Sequence, residues 1–502
     1  MGASTQKDPK AGGKAAPARP VTPAGAGGAP PLTRRQANAM TAVIIATMFC
    51  NGFMITLMSV ALPGVAREFH VTVAQANWVI LVFTIVGATL IAMGARLLHR
   101  WGIRVIMGLA TGLMAAGGLV GLLAQDYGMV MAARVLQASA AGLLFPTAST
   151  CLIKIAPPGR RAFNLSLFTA CGGVGFAISP FVSGLLLTRF GVNAVFAPTV
   201  VAGAACCVAS LLVMRPIGER RPDAASVDLP SIPLIFAGMG ALMFGISEIN
   251  HQLPVALALI AAGVAVTGLF AWRQRRLAVP LLSLRPLADR AFVIGIMLLM
   301  FGSLAEHAVR LTLPLYLEGA AGFTASDAGL FMLLPQLAYS AVALLGGKLT
   351  DKHGIWPVVP IGFAVITAGF AVVLGASGPL LLVPLMIAVV FILGGVGVEN
   401  SSNRAAALES LDAEHLAAGA SIASVSIQLA SSLSSALLVG TMSNEVAANV
   451  HAGMAEAAAY AGAFGHTVVI MIVIEAVMLA VSLAYAWRRR DASRPHPAPA
   501  KA

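Results

Sequence analysis

Glu306, His307 and Arg310 stand within a little over one helical turn inside a long apolar run. Residues four apart on a helix share a face, so Glu306 and Arg310 are placed to meet. An ionisable side chain in such a run is costly to bury and marks a pathway by default. A carboxyl in a low-dielectric cavity suits pick-up and release of a proton, and His307 is placed to share it. The competing expectation is a static Glu306–Arg310 pair that holds helices together. Arg134 and Gln137 form a second polar face one turn apart, in another apolar run. Its competing expectation is an arginine that snorkels to the surface. Glu475 has no partner nearby in sequence and is read as a packing contact. Glu248 and Glu399 are read as helix ends.

These residues are positioned by elements that the composition already restricts. The chain has 502 residues, 58% of them hydrophobic and 10% charged, with a mean hydropathy of +0.87. Soluble domains carry about 25% charged residues, so a soluble globular protein is excluded. The apolar content runs the length of the chain, which excludes a single membrane anchor. An aromatic content of 6% argues against a barrel with aromatic girdles. The net charge of +12 would suggest nucleic acid in a soluble protein. Here its location matters more than its sum, and no nucleic-acid partner is expected.

A spanning helix needs about 20 mostly apolar residues. Fourteen such segments fall between Met40 and Trp487, the twelfth being Pro379–Glu399 and the thirteenth Leu416–Gly440. With the N-terminus in the cytoplasm, nearly all Lys and Arg fall on the cytoplasmic side, including Arg404 in a loop. Arg67 and Arg189 fall outside, and Arg134 and Arg310 within spans. This asymmetry predicts both termini inside. The five tryptophans sit at or near span ends, as an interfacial belt requires. Cys50, Cys151, Cys171, Cys206 and Cys207 lie in apolar runs and are read as packing residues rather than a disulfide framework. The sequence has no metal-ligand cluster, nucleophile triad or phosphate loop, so no cofactor, no metal, no enzymatic activity and no ATP drive are expected.

An internal repeat underlies the fourteen segments. Ala95-Arg-Leu-Leu-His-Arg-Trp-Gly102 follows segment 2, and Gly347-Lys-Leu-Thr-Asp-Lys-His-Gly354 follows segment 10, 252 residues later. Ala61-Leu-Pro63 and Thr312-Leu-Pro314 match at an offset of 251. Two halves of six helices related in this way leave segments 7 and 8 as an extra pair. The expected division is a disordered cytoplasmic tail over 1–39, a six-helix bundle over 40–214, a linker with two helices over 215–290, a second bundle over 291–487 and a tail over 488–502.

These features resemble the major facilitator superfamily, and more narrowly its fourteen-spanner drug:proton antiporter branch. The loop motif G-x-L-x-D-R-x-G is kept at Gly347, Leu349, Asp351, Lys352 and Gly354. Its first copy keeps Arg100 and Gly102 but has Ala95 and His99 for the glycine and aspartate. Arg134-Val-Leu-Gln137-Ala138 resembles the family's segment-4 pattern. Gly175-Phe-Ala-Ile-Ser179-Pro180-Phe-Val-Ser183-Gly184 resembles the antiporter pattern of segment 5. In the segment-1 signature, Met54 stands where the family has an aspartate.

The resemblance implies an all-α membrane protein of the major facilitator fold, with alternating access between two six-helix bundles. It implies that Arg134 takes part in proton coupling and that the Asp351 loop latches one conformation. Subtracting the repeat offset places Glu306 opposite Ile55, beside the missing acid at Met54. The proton-carrying acid is therefore expected to have moved to segment 9. Met54, Met58, Gln137 and Gln428 are candidates for a substrate cavity, and packing is the competing expectation for the methionines. Gly175, Pro180 and Gly184 suit close helix approach and a kink. The expected function is proton-coupled export of small lipophilic or amphipathic compounds. Its rivals are transport of an anionic or neutral metabolite, and a transport-inactive sensor. The expected partners are a small-molecule substrate, protons and the lipid bilayer, with a monomer in a bacterial inner membrane.

Overall fold

The computed structural model describes residues 32–492 apart from short stretches at 72, 158–159, 218–227, 229, 250–251, 278–279, 379 and 413. Residues 1–31 and 493–502, the bulk of the expected tails, lie outside the described residues. The expected first tail is too long by several residues. Thr33 caps a helix that begins at Arg34, with Gln36 completing a capping box.

Among the described residues fifteen α-helices follow one another: α1 (Arg34–Glu68), α2 (Val73–Trp101), α3 (Ile103–Leu122), α4 (Tyr127–Ile155), α5 (Arg161–Phe190), α6 (Ala197–Val213), α7 (Ser231–Ser247), α8 (Leu253–Arg276), α9 (Arg290–Gly319), α10 (Ala325–His353), α11 (Ile355–Ser377), α12 (Leu382–Glu409), α13 (Leu416–Ser434), α14 (Gly440–His451) and α15 (Glu456–Ala492). A π turn over Ser435–Val439 joins α13 to α14, so the two make one rod over Leu416–His451. Each of the fourteen expected segments falls on a helix. Among the described residues twelve spans are long and apolar enough to cross a bilayer. The apolar stretches of α2 and α7, Trp78–Gly94 and Ser231–Ile246, are shorter.

The repeat is visible in the turns. Gly102 and Gly354 both adopt positive φ, +76° and +82°, and each ends one helix and starts the next. That conformation favours glycine, which explains why the motif keeps it in both copies. The packing repeats as well. α1 lies on α5 as α9 lies on α13, α2 on α4 as α10 on α12, and α3 on α6 as α11 on α15. The two sets meet along α5 and α10 and, correspondingly, along α13 and α2. α7 and α8 pack on each other, and α7 leans on α2.

Small residues let these helices approach closely. A Cβ on Gly175 would sit 2.2 Å from the Phe49 carbonyl oxygen of α1, and one on Gly52 would sit 2.2 Å from that of Gly172. All five cysteines are free thiols, with Cys50, Cys151 and Cys206 buried.

Candidate functional site in the helix core

Glu306 and Arg310 do share a face of α9, and Arg310 donates to the Glu306 carboxylate. Glu306 is 6% exposed. The guanidinium of Arg310 also stacks over the ring of Phe176 on α5, 4.7 Å from its centroid. The pair therefore spans the junction between the two helix sets. The second oxygen of Glu306 accepts from Asn400 Nδ2 at 3.5 Å, and Asn400 Oδ1 accepts from Ser303 Oγ at 3.0 Å. His307 turns its Nδ1 to the Ser303 carbonyl at 2.7 Å, so this ring nitrogen is engaged by backbone rather than by the Glu306 carboxylate.

Segment 12 does not end at Glu399 as expected: α12 continues to Glu409, which puts Glu399 inside the helix and fully buried. Arg404 is likewise 3% exposed within α12 rather than a loop residue. The missed residues are Asn400, Asn403 and Arg404. Their signal was the run Glu399-Asn-Ser-Ser-Asn-Arg404, whose i,i+4 spacing pairs Glu399 with Asn403. Arg404 donates from Nη1 to Ser149 Oγ of α4 at 3.3 Å and stacks over Phe168 of α5, 5.4 Å from the centroid. It thus ties α12 to the opposite helix set. Glu475 of α15 is also fully buried.

Arg134 is buried at 1% exposure, which removes snorkelling as its role. It donates to the carbonyls of Val79 at 3.3 Å and Met54 at 3.2 Å, and to Gln137 Oε1 at 2.9 Å. Its guanidinium lies 4.2 Å from the centroid of Phe83. Gln137 passes the chain on, donating to Thr199 Oγ1 at 3.2 Å. Arg134 is therefore solvated by two carbonyls, an amide and a ring, and Met54 contributes only its backbone. The Met54 and Met58 side chains are fully buried in the apolar core, where they pack rather than face an open cavity. Gln428 is half-buried on α13.

Asp351 caps the N-terminus of α5. Its two carboxylate oxygens accept the backbone N–H groups of Ala162 at 3.1 Å and Phe163 at 2.9 Å. A carboxylate here satisfies orphan donors and the positive end of the helix together. Gly347, one turn earlier, lets α10 approach: a Cβ there would sit 2.3 Å from Ser166 Oγ. Lys348 lies over Phe163, 5.6 Å from its centroid. Lys352 is exposed, and Gly354 completes the turn. In the first copy Arg100 is half-buried in the last turn of α2, before Gly102. Among the antiporter-pattern residues, Gly175 makes the α1–α5 approach, while Pro180 and Gly184 lie inside α5, a continuous helix.

Chemically, this arrangement holds buried acids and bases at the crossing of two helix sets, with the Asp351 cap on α5 at one end. Among the described residues no group of His, Cys, Asp and Glu is placed to hold a metal ion.

The family model described as Major Facilitator Superfamily matches residues 44–435. The chain is 25% identical over 427 residues to the uncharacterized MFS-type transporter YcnB of Bacillus subtilis (strain 168), covering 82% of this chain and 88% of that protein. It is 26% identical over 331 residues to the lincomycin resistance protein LmrB of the same organism, covering 64% and 67%. The match to that organism's uncharacterized MFS-type transporter YhcA is 26% identical over 326 residues, 64% of this chain and 61% of YhcA. Among solved structures, the proton:xylose symporter XylE superposes with a TM-score of 0.61 at 14% identity, over 88% of this chain and 95% of that one.

Proposed function

The chain belongs to the major facilitator superfamily, and from that premise we propose that it exports small lipophilic or amphipathic compounds in exchange for protons. The observation that carries this reading is the buried Glu306–Arg310 pair at the junction of α9 with α5. A carboxyl that is alternately paired and protonated there links proton occupancy to the contact between the two sets of helices. In this reading α1–α6 and α9–α15 are the two rocking bundles, and α7 and α8 are an inserted pair. All fourteen segments span the plasma membrane of a bacterium, with both termini in the cytoplasm. The protein works as a monomer. The resistance named for LmrB supports export of a bulky organic solute.

A second reading has a specific observation behind it. Arg134 and Arg404 are buried and are solvated by carbonyl, amide, hydroxyl and ring groups. Such cations suit an anionic metabolite as substrate.

The test is substrate-dependent proton flux in proteoliposomes, wild type beside Glu306→Gln, against cationic, neutral and anionic compounds. The proposal expects flux with lipophilic compounds and its loss in the variant. Undiminished flux in Glu306→Gln returns the pair to a structural role. Flux confined to anionic compounds favours the second reading.

A further inference from the structure

α8 ends in arginines that the fold leaves free. The helix is long and apolar enough to cross a bilayer, and it packs on α7. Leu257, Val264 and Leu269 stand exposed along it, on the surface that lipid covers. Its last turn carries Arg273, Arg275 and Arg276, so these cations stand where the hydrocarbon gives way to headgroups. Trp272, 53% exposed, marks the same level. The guanidinium of Arg276 lies over the Trp272 ring, 4.1 Å from its centroid. That contact orders the side chain and leaves its N–H groups without an acceptor among the described residues.

The chain then folds back onto α8. Gln274 is 3% exposed. Its Oε1 accepts the backbone N–H groups of Leu281 at 2.6 Å and Leu282 at 3.3 Å, and its Nε2 donates to Ser231 Oγ at 2.7 Å. Leu281, Leu282 and Pro286 are buried. Asp289 then caps α9, accepting from the N–H groups of Ala291 and Phe292. The turn is thus pinned at both ends, with apolar side chains inward and Arg285, Leu287 and Arg290 exposed. Two acids at this end are already committed, Asp228 to Arg273 and Ser231, and Asp289 to the amides of α9. Arg275, Arg276, Arg285 and Arg290 have no carboxylate partner among the described residues.

Guanidinium forks match phosphate oxygens, and an indole and a leucine beside them match the glycerol and acyl region of a lipid. A free phosphate would use the arginines and have no use for Trp272 and Leu287. We propose that the end of α8 and the turn before α9 form a dock for an anionic phospholipid. Arg275, Arg276, Arg285 and Arg290 hold its phosphate, and its acyl chains lie against Trp272 and Leu287. The dock is independent of substrate and of proton coupling. It gives the inserted pair a task, which is to moor the start of α9 to the membrane surface.

The experiment uses the full-length protein with Trp78, Trp101, Trp356 and Trp487 changed to Phe, in phosphatidylcholine liposomes. Quenching of the remaining Trp272 is compared between brominated phosphatidylglycerol and brominated phosphatidylcholine at equal mole fraction. Phosphatidylglycerol is expected to quench preferentially, and the preference to fall about fivefold for each of Arg275→Gln, Arg276→Gln, Arg285→Gln and Arg290→Gln. Arg34→Gln with Arg35→Gln, which removes the same kind of charge at the start of α1, is expected to leave it unchanged. Equal quenching by the two lipids overturns the proposal. An equal fall in the α1 variant overturns it too, because diffuse surface charge then explains the preference. Reversal by inorganic phosphate assigns the arginines to a free anion and overturns the lipid. A second measurement needs no tryptophan change: wild type extracted gently from mixed bilayers is expected to retain phosphatidylglycerol above its bulk share, and Arg275→Gln with Arg276→Gln to lose that enrichment. No enrichment in wild type overturns the dock whether or not the single-tryptophan protein folds.

Discussion

The Asp351 carboxylate accepts the Phe163 backbone N–H at 2.9 Å across 188 residues of sequence. It joins the end of α10 to the start of α5, so one side chain couples the two helix sets at this end. Replacing Asp351 with Asn keeps one acceptor but removes the charge at the helix N-terminus. The expected loss is about 1–2 kcal/mol from the state in which the cap is made. That shifts the open-to-closed ratio roughly 5- to 30-fold. Spin labels or cysteine accessibility across α5 and α10 check it, and an unchanged distribution contradicts the latch.

The N-terminal half supplies a rescue experiment. Arg134 already donates to the Met54 carbonyl at 3.2 Å, so an acid at position 54 would meet a ready guanidinium. Met54→Asp in a Glu306→Gln background is expected to restore part of the proton-coupled flux lost in Glu306→Gln alone. Arg134→Lys is expected to cut flux at least tenfold, because an ammonium does not reproduce the planar contacts with Val79, Met54 and Gln137. Flux assays on both variants decide whether the acid's position or only its presence matters.

Close approach at α1 and α5 predicts a stability contrast. Gly175→Ala places a methyl 2.2 Å from a backbone oxygen and is expected to cost about 1–3 kcal/mol. Gly268→Ala on α8 meets nothing within 4 Å and is expected to leave stability unchanged or slightly improved. Thermal unfolding midpoints in one detergent compare the two directly.

An acid-sensitive link lies outside the core. Asp228 accepts from Arg273 of α8 at 2.7 and 2.8 Å, and it also accepts from Ser231 at the start of α7. The Arg273 bond first, then that of Ser231, holds the Asp228 carboxyl down at about 2. A depressed acid stabilises the folded form above its unfolded value near 3.8 and loses that effect as pH falls toward 2. Hydrogen exchange at the first amides of α7 is therefore expected to stay slow at pH 4 and to quicken only below about 3. In Arg273→Ala the quickening should begin near 4.

Much of this architecture was legible because two signals are local. Gly102 and Gly354 are needed wherever a helix must stop and restart through positive φ, so the paired loops exposed the repeat. Glu306 and Arg310 met because four residues make one turn. What escaped was non-local. Glu399 and Arg404 look like a helix end followed by a loop, since a run of Glu, Asn, Ser and Arg lowers the hydropathy just where an apolar span would stop. Only the glycines of α9 and α11, distant in sequence, reveal that this polar run is enclosed. Met54 and Met58 had the composition of a pocket wall, but their neighbours fill the space. The ends of α1 and α10 were misplaced for a simpler reason, because charged turns continue helices that apolar windows cut short.

Arg404 has a consequence beyond packing. It is a fixed positive charge inside the helix core, and it bridges α12 to Ser149 on α4. A charge carried across a whole membrane at 100 mV gains or loses about 2.3 kcal/mol. If rocking of α12 moves this guanidinium through part of that field, the membrane voltage becomes a lever on the conformational equilibrium. The cycle then answers to electrical potential even in steps that bind no proton and release no substrate.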